Sequence, residues 1–587
     1  MMILRVNQEL HRARCLHRDL VRAALSCCFI VSAAGQACAA GQIDVLTVVG
    51  DTSPDGSGQY QAFGLPALND AGQIGFVSQL SGTAGGTADN IAWVRLGEST
   101  NTTIARKGIS SLDGDTITSH VSNQVSLDEA GRVHGVGSVA GPPSETVGFV
   151  GDGATLMSYA RFGDPSPSGN NALQTATFPS VNDQGVAAFQ GIYSGTNAET
   201  GIYSRPFNGA LTTRLLSGAA PPGIGTVTLN ALTSRPTINE SGQIAVRADV
   251  NDGMTTRRTI LRLDGTTVVK LAREGDVTGS TTISSITSTL NPINDSGQVA
   301  FVAQYTQPAV SRTGVFLADD GGISLVAPGL LPGSGTAASV VRVNGMNNAG
   351  QVALYAEFGT AIDPPSGIYL ADEAGPMLIA FEDTLTPAGD KYFRRLLDSF
   401  LSLNESGQLV FSAELSDTAN GPLAGRGLFF YDPDTGLEQI IRTGSAFMGS
   451  TFTDMGIQGP GHLTQAFDTS FSGFNNSGQV AFFFSLANGT SGLAIWTPDT
   501  QLPGDFNSDG AVDAADYVVW RKNPGGIYTL DDFNTWRANF GNTAGAGTEG
   551  DVVADATVPE PKVAFNLCCA IGAVSGLRVY CRRKVTA

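Results

Sequence analysis

The residues best spaced for chemistry form one short acidic run, Asp505-Phe-Asn-Ser-Asp-Gly-Ala-Val-Asp-Ala-Ala-Asp516. Side-chain oxygens fall at loop positions 1, 3, 5, 9 and 12, and Gly510 stands at position 6. A hard cation needs roughly six to eight oxygen ligands, and this spacing wraps a chain around a single point. Asp505, Asn507, Asp509 and Asp516 are the expected direct ligands. Ala511 offers its carbonyl, and Asp513 acts directly or through water. The chemistry implied is Ca2+ binding at one site. An acidic turn rich in Asp and Asn is the competing reading.

Nothing else has the spacing of a reactive centre. Beyond the first 40 residues only His120, His134 and His462 remain, in different repeat units. The seven Cys are confined to positions 15, 27, 28 and 38 at one end and 568, 569 and 581 at the other. The middle therefore has no disulfide, thiolate metal site or cysteine nucleophile, and its stability must come from packing. No Gly-x-Ser-x-Gly elbow, His-Glu-x-x-His pair or phosphate loop is present. Carboxylate pairs of the glycosidase kind are invisible in linear spacing, so they stay open.

Short helices must hold the acidic loop. Tyr517-Val-Val-Trp-Arg-Lys522 follows it, and Asp532-Phe-Asn-Thr-Trp-Arg537 repeats Asp516-Tyr-Val-Val-Trp-Arg521. The stretch between, Asn523-Pro-Gly-Gly-Ile-Tyr-Thr-Leu530, has no acid and predicts no second metal loop. With Asp rather than Glu at position 12, residues 503–542 resemble a type I dockerin. The resemblance implies a small α-helical calcium-binding segment and a cohesin-like partner. The missing second loop favours instead a calcium-stabilised spacer, with 543–557, rich in Gly, Ala and acids, as a flexible linker.

Ahead of this segment a unit recurs eight times. Its clearest copies are Asn294-Asp-Ser-Gly-Gln-Val-Ala-Phe301 and Asn475-Asn-Ser-Gly-Gln-Val-Ala-Phe482; others start at Asn69, Asn182, Asn239, Asn347 and Asn404, with a degenerate one at Asp128. Asn-x-x-Gly suits a tight reversal, because Gly takes positive φ freely and Asn tolerates it. A strand of alternating character follows each turn. A second strand opens with Gly and an apolar or aromatic pair, as in Gly367-Ile-Tyr369, and a third and fourth complete the unit.

Four short strands taken eight times predict an all-β fold, an eight-unit β-propeller over 42–499. A β-solenoid or a row of small sandwiches is the alternative array. Ile43–Val49 reads as a third-type strand without partners, whereas Gln479–Ser485 and Gly492–Trp496 are first and second types without followers. Joined, the two ends would complete the eighth unit and hide its open edges. The units resemble an anchored tandem-repeat family with the pattern NxxGxxAF, which implies surface location and no reaction.

Both ends read as addresses. Five Arg precede the apolar run Ala23–Ala34, and Ala37-Cys-Ala39 follows it, so residues 1–39 are expected to be a cleaved signal peptide. At the other end Val558-Pro-Glu-Pro561, the apolar Val563–Tyr580 and Arg582-Arg583-Lys584 occupy 558–587. This resembles the PEP-CTERM sorting signal of Gram-negative bacteria and implies an exosortase-type processing enzyme; a plain membrane anchor is the alternative. The basic cluster is expected on the cytoplasmic side. These ends carry +3 and +4 of a net charge of −19, leaving the middle near −26. Such a surface repels nucleic acid.

The expected function is therefore an exported, surface-anchored, non-catalytic binding or scaffolding element, with envelope glycans or surface proteins as partners. The alternative is a polysaccharide-active propeller enzyme of glycosidase or lyase type. A channel mouth lined by turns and neutral side chains favours the scaffold; a convergent acid pair favours the enzyme.

Overall fold

The structure is a computed structural model. It describes residues 41–542 apart from 98–99, 121–124, 141–144, 170, 177–178, 196–197, 231–233, 289–290, 308–309, 360–363, 458–472, 499–503, 508–510 and 523–527. The signal segment, the linker, the sorting tail, Asp509 and His462 lie outside the described residues. Two compact units divide at Pro498/Asp499. No helix among the described residues is long and apolar enough to cross a membrane.

The first unit is an eight-bladed β-propeller. In the Asn347 blade the strands are Ala338–Met346, Val352–Phe358, Ser366–Asp372 and Gly375–Phe381, hydrogen-bonded in that order. The repeat turn joins the first strand to the second. Its glycine has φ between 71° and 81° in all eight copies, which L-residues with a Cβ rarely adopt. The Gly near the start of the third strand has a different cause. A Cβ on Gly367 would meet the Tyr369 ring at 2.7 Å, so glycine there makes room for the aromatic two residues on.

The strand that follows each turn packs its two faces into two different interfaces. Ala300 and Val302 pack with Val352 and Leu354 of the next blade. Phe301 and Ala303, pointing the other way, pack with Ala245 and Ile260 of the preceding one. Middle strands are therefore buried on both faces and read as nearly continuous apolar runs. The core is a ring of interblade layers rather than a single centre.

The ends close the ring. Gly41–Val48 pairs antiparallel with Ser491–Pro498, from Gly41 opposite Pro498 to Val48 opposite Gly492. The last blade thus takes its outermost strand from the start of the chain, as the strand inventory requires. Ala481 and Leu493 of that blade pack against Leu68 and Phe76 of the first.

The second unit holds helices α1 (Ala514–Lys522) and α2 (Leu530–Asn539). Tyr517 meets Phe533 and Trp536 across the pair, at ring centroid separations of 6.2 and 5.2 Å.

Candidate functional site

The repeat turns build the most ordered polar feature of the propeller. In the Asn294 turn, Oδ1 accepts the Gln298 N–H at 3.0 Å and the backbone carbonyl accepts the Gly297 N–H at 2.9 Å. Nδ2 then donates across to the Asn347 carbonyl of the next blade at 3.4 Å. The same link runs from Asn69 to Asp128, Asn182 to Asn239, Asn239 to Asn294, Asn347 to Asn404 and Asn404 to Asn475. Asn475 donates to the Asn69 carbonyl at 3.1 Å across 406 positions of sequence, so the ladder crosses the closure.

A second ladder runs beside the first. The backbone N–H after each Asn donates to the side chain at the same position in the next blade: Asp70 to Glu129, Asp183 to Glu240, Glu240 to Asp295, Asp295 to Asn348, Asn348 to Glu405, Glu405 to Asn476, and Asn476 to Asp70. Six carboxylates and two amides therefore line one cavity of about 240 Å³ at the axis. Turn chemistry accounts for the first position, as the sequence implied. It missed that the second position converges. The signal was available as a column: all eight copies carry Asp, Glu or Asn there. The channel mouth is acidic, not neutral.

Both ladders break at the second repeat. Asp128 replaces Asn there, and a carboxylate has no N–H to give to the Asn182 carbonyl. Burial alone would raise the Asp128 carboxyl, but its bonds to His134 Nε2 at 3.1 Å and Arg132 Nε at 2.6 Å hold it below the usual range. His134 Nδ1 meets the Tyr159 hydroxyl. Asp128 and His134 are both 0 % exposed, which makes this constellation a buried brace beyond reach of a substrate. His120 sits in the same blade, in Asp115–His120 beside His134's strand. The two histidines were assigned to different units because the sequence count starts at the turn, whereas a blade starts one strand earlier.

Asp183 stands just past the break, and no hydrogen bond to its carboxylate is formed among the described residues. Burial, then Glu240, Glu129, Asp128 and Asp70, push it up to about 8. Glu129 and Glu405 are raised too, by burial and by facing acids. Between its ordinary value of 3.8 and about 8, folded Asp183 keeps a proton that the unfolded chain releases. Its contribution must therefore make stability fall as pH rises through that window. In metal-free buffer, Asp183→Asn should match the parent near pH 4 and exceed its thermal midpoint at pH 8 by on the order of 5 °C. Equal midpoints at pH 8 would show that the group ionises normally.

Arginines at or just past the outer strands tie each blade to its own inner end: Arg106 pairs with Asp55, Arg161 with Asp115 and Glu145 at 2.7 Å, and Arg442 with Asp390 at 2.6 Å. Asp454, in Ser450–Ile457 of the last blade, lies 3.6 Å from Arg426.

In the second unit, the acidic loop closes on Asp516. Its Oδ1 accepts the Phe506 and Asn507 N–H groups at 2.8 and 3.1 Å, and Oδ2 accepts Asp513 N–H at 2.7 Å. Positions 1 and 12, Asp505 and Asp516, are 3 % and 0 % exposed. Asn507, Ala511 and Asp513 lie along the same loop; Trp536 Nε1 donates to the Asp513 carbonyl at 2.7 Å and pins it. Two buried carboxylates at the ends of an oxygen-rich turn suit a hard cation. Among the described residues no three acidic, His or Cys groups are gathered tightly enough to hold an ion by themselves, and Asp509 is outside that set. The equivalent acid of the second half is used differently. Thr529 N–H and O–H both donate to Asp532 Oδ2, at 2.6 and 2.7 Å, forming a capping box on α2.

A family model described as "Family of unknown function (DUF7453)" matches residues 33–377 and again 233–500. The overlap of the two matches reflects the repeat. No curated protein matches the chain. Solved structures similar to it include the β-propeller domain of the Trilobed protease from Pyrococcus furiosus, at 10 % identity and TM-score 0.31, covering 65 % of this chain and 95 % of that one. A puromycin-hydrolyzing peptidase of Mycobacterium tuberculosis shares 11 % identity at TM-score 0.34, over 77 % of this chain and 62 % of that one. The polysaccharide lyase Uly1 shares 9 % at TM-score 0.30, over 67 % and 94 %.

Proposed function

This chain belongs to the DUF7453 family of unknown function, and we propose that it is an exported, surface-anchored propeller that binds or scaffolds envelope glycans or surface proteins without catalysis. The observation that carries this reading is the closed set of eight repeat turns, which brings an acidic or amide side chain from the second position of every repeat to one face. Repetition of that kind suits extended or multivalent ligands. The His134–Asp128–Tyr159 cluster is buried, so it supplies no reactive group to a ligand. Export through residues 1–39 and processing of 558–587 by an exosortase-type enzyme complete the reading. One Ca2+ held by Asp505, Asn507, Asp509, Ala511, Asp513 and Asp516 orders the spacer; a cohesin-like partner for that segment is the alternative.

A second reading has a specific observation behind it. Asp183, lifted to about 8, is a carboxylic acid at neutral pH among more acidic carboxylates. That contrast of protonation states is what acid-catalysed cleavage of a polysaccharide requires. The test incubates the purified propeller with a panel of polysaccharides and follows both retention and the release of reducing or unsaturated ends. Retention without turnover is expected. Turnover that vanishes in Asp183→Asn would establish the enzyme in place of the scaffold.

A further inference from the structure

We propose that the end of the propeller opposite the repeat turns is a docking face for a second copy of this chain, so that two rings pair face to face. In each blade the first and third strands run towards the end that carries the repeat turns, and the second and fourth run away from it. Two connections per blade therefore open on the far end. Among the described residues of the propeller twelve large apolar side chains are exposed, and ten of them stand at that far end. Ile109, Phe162, Val277, Leu330, Leu385 and Met448 follow the fourth strands of six blades. Met254, 93 % exposed, tips a hairpin between a second and a third strand. Val45 and Met377, the two exceptions, lie within fourth strands, and none of the twelve lies in a repeat turn. Exposed apolar residues scattered by chance fall on both ends alike, whereas segregation to one end marks an interaction surface.

At Met448 this exposure is held against local preference. The residue has φ 48° at the tip of the hairpin between Ala446–Phe447 and Ser450–Ile457, and Gly449 follows it. Two-residue turns of this kind favour Asn or Asp before Gly, and the matching hairpin of the second blade carries Asp113, at φ 52°, before Gly114. A bulky apolar residue in the left-handed region, 51 % exposed, serves neither the turn nor solubility. Charge then selects the partner. Acids at this end are compensated within the ring: Asp55 by Arg106, Asp115 and Glu145 by Arg161, Asp252 by Arg273, and Asp390 by Arg442. The acid-lined cavity lies at the other end. Two rings that meet through the apolar end turn those cavities outwards, the arrangement in which the acidic surface opposes pairing least. A lipid surface calls instead for free Lys and Arg around the apolar set to meet anionic headgroups, and these arginines are already engaged. A two-fold pair uses one self-complementary patch of roughly 20–30 residues a side, which connections from eight blades supply.

The test is sedimentation velocity on the full chain over a range of concentrations, where a dimer with a Kd on the order of micromolar is expected. Met254→Ser, Val277→Thr and Leu330→Ser combined remove exposed apolar atoms and leave the packed layers alone, so this variant should fold normally and raise the Kd about tenfold or more. Met448→Asp supplies the residue type that the turn prefers. It should keep or raise the thermal midpoint and weaken the pair in the same direction. Val45→Thr with Met377→Ser makes the same kind of change off the face and should leave the Kd unchanged. A chain that stays monomeric at about 100 µM, a dimer that ignores both face variants, or equal weakening by the off-face variant would each overturn the proposal. So would a monomer that floats with vesicles of phosphatidylethanolamine and phosphatidylglycerol, because the face would then be a membrane contact.

Discussion

Deleting residues 41–48 is expected to lower the thermal midpoint of the propeller by on the order of 10 °C, or to leave the chain aggregated. The eight-residue strand supplies the outer edge of the last blade, and among the described residues no other strand pairs there. Without it, the N–H and C=O groups along the outer side of Ser491–Pro498 lose their partners. Trp496, 1 % exposed and opposite Ile43, would be uncovered together with the interblade layer that it shares with Phe430. Losing the packing of a buried aromatic costs about 3–5 kcal/mol, a large part of a domain's net stability of roughly 5–15 kcal/mol. The closure also joins distant parts of the chain, since the Asn475–Asn69 bond spans 406 residues. Thermal unfolding monitored by circular dichroism checks the prediction. A midpoint within a degree or two of the parent would mean that the ring is held shut by the interblade layers alone.

Replacing Asp505 with Ala should abolish calcium binding to the acidic loop and loosen residues 504–542. Asp505 is the first position of the loop and 3 % exposed, so its loss removes a proposed ligand and leaves buried Asp516 with backbone donors alone. At a hundredfold excess of calcium over its Kd, the ion is worth about 2.7 kcal/mol to the unit that binds it. The signal is local, because Trp520 and Trp536 sit in the helical pair while Trp93 and Trp496 are buried in the propeller. Calcium should therefore change tryptophan emission and slow proteolysis of the segment in the parent, and do neither in Asp505→Ala. Two tight calcium equivalents in the segment would show that the second half binds despite its acid-free loop. The capping box at Thr529 argues for one, because Asp532 already accepts two donors there.

Much of the architecture was legible in the linear chain because its causes are local. An Asn-x-x-Gly turn needs only positive φ at one residue and a side-chain acceptor four residues from its partner N–H, so eight turns could be counted directly. Strand type followed from period-two patterning, and closure followed from counting which types lacked neighbours. The oxygen spacing from Asp505 to Asp516 is likewise local, and so is the absence of Cys between 39 and 567.

What tertiary structure alone decided involves residues more than fifty positions apart. Asp70, Glu129, Asp183, Glu240, Asp295 and Glu405 each look like ordinary solvated turn residues in the chain. Rotation of one blade to the next brings them onto one axis, where burial first, and then the charges of neighbours such as Glu240 and Glu129, lift Asp183 to about 8. A pKa shift depends on distance in space and on burial, and neither has a signature in spacing along the chain. The same holds for Asp128, whose single departure from Asn looked like decay of the repeat. Only the fold shows that it interrupts two hydrogen-bond ladders and is braced by His134, Arg132 and Tyr159. Local geometry specified the blades; the collective electrostatics of the channel exist only once eight blades close.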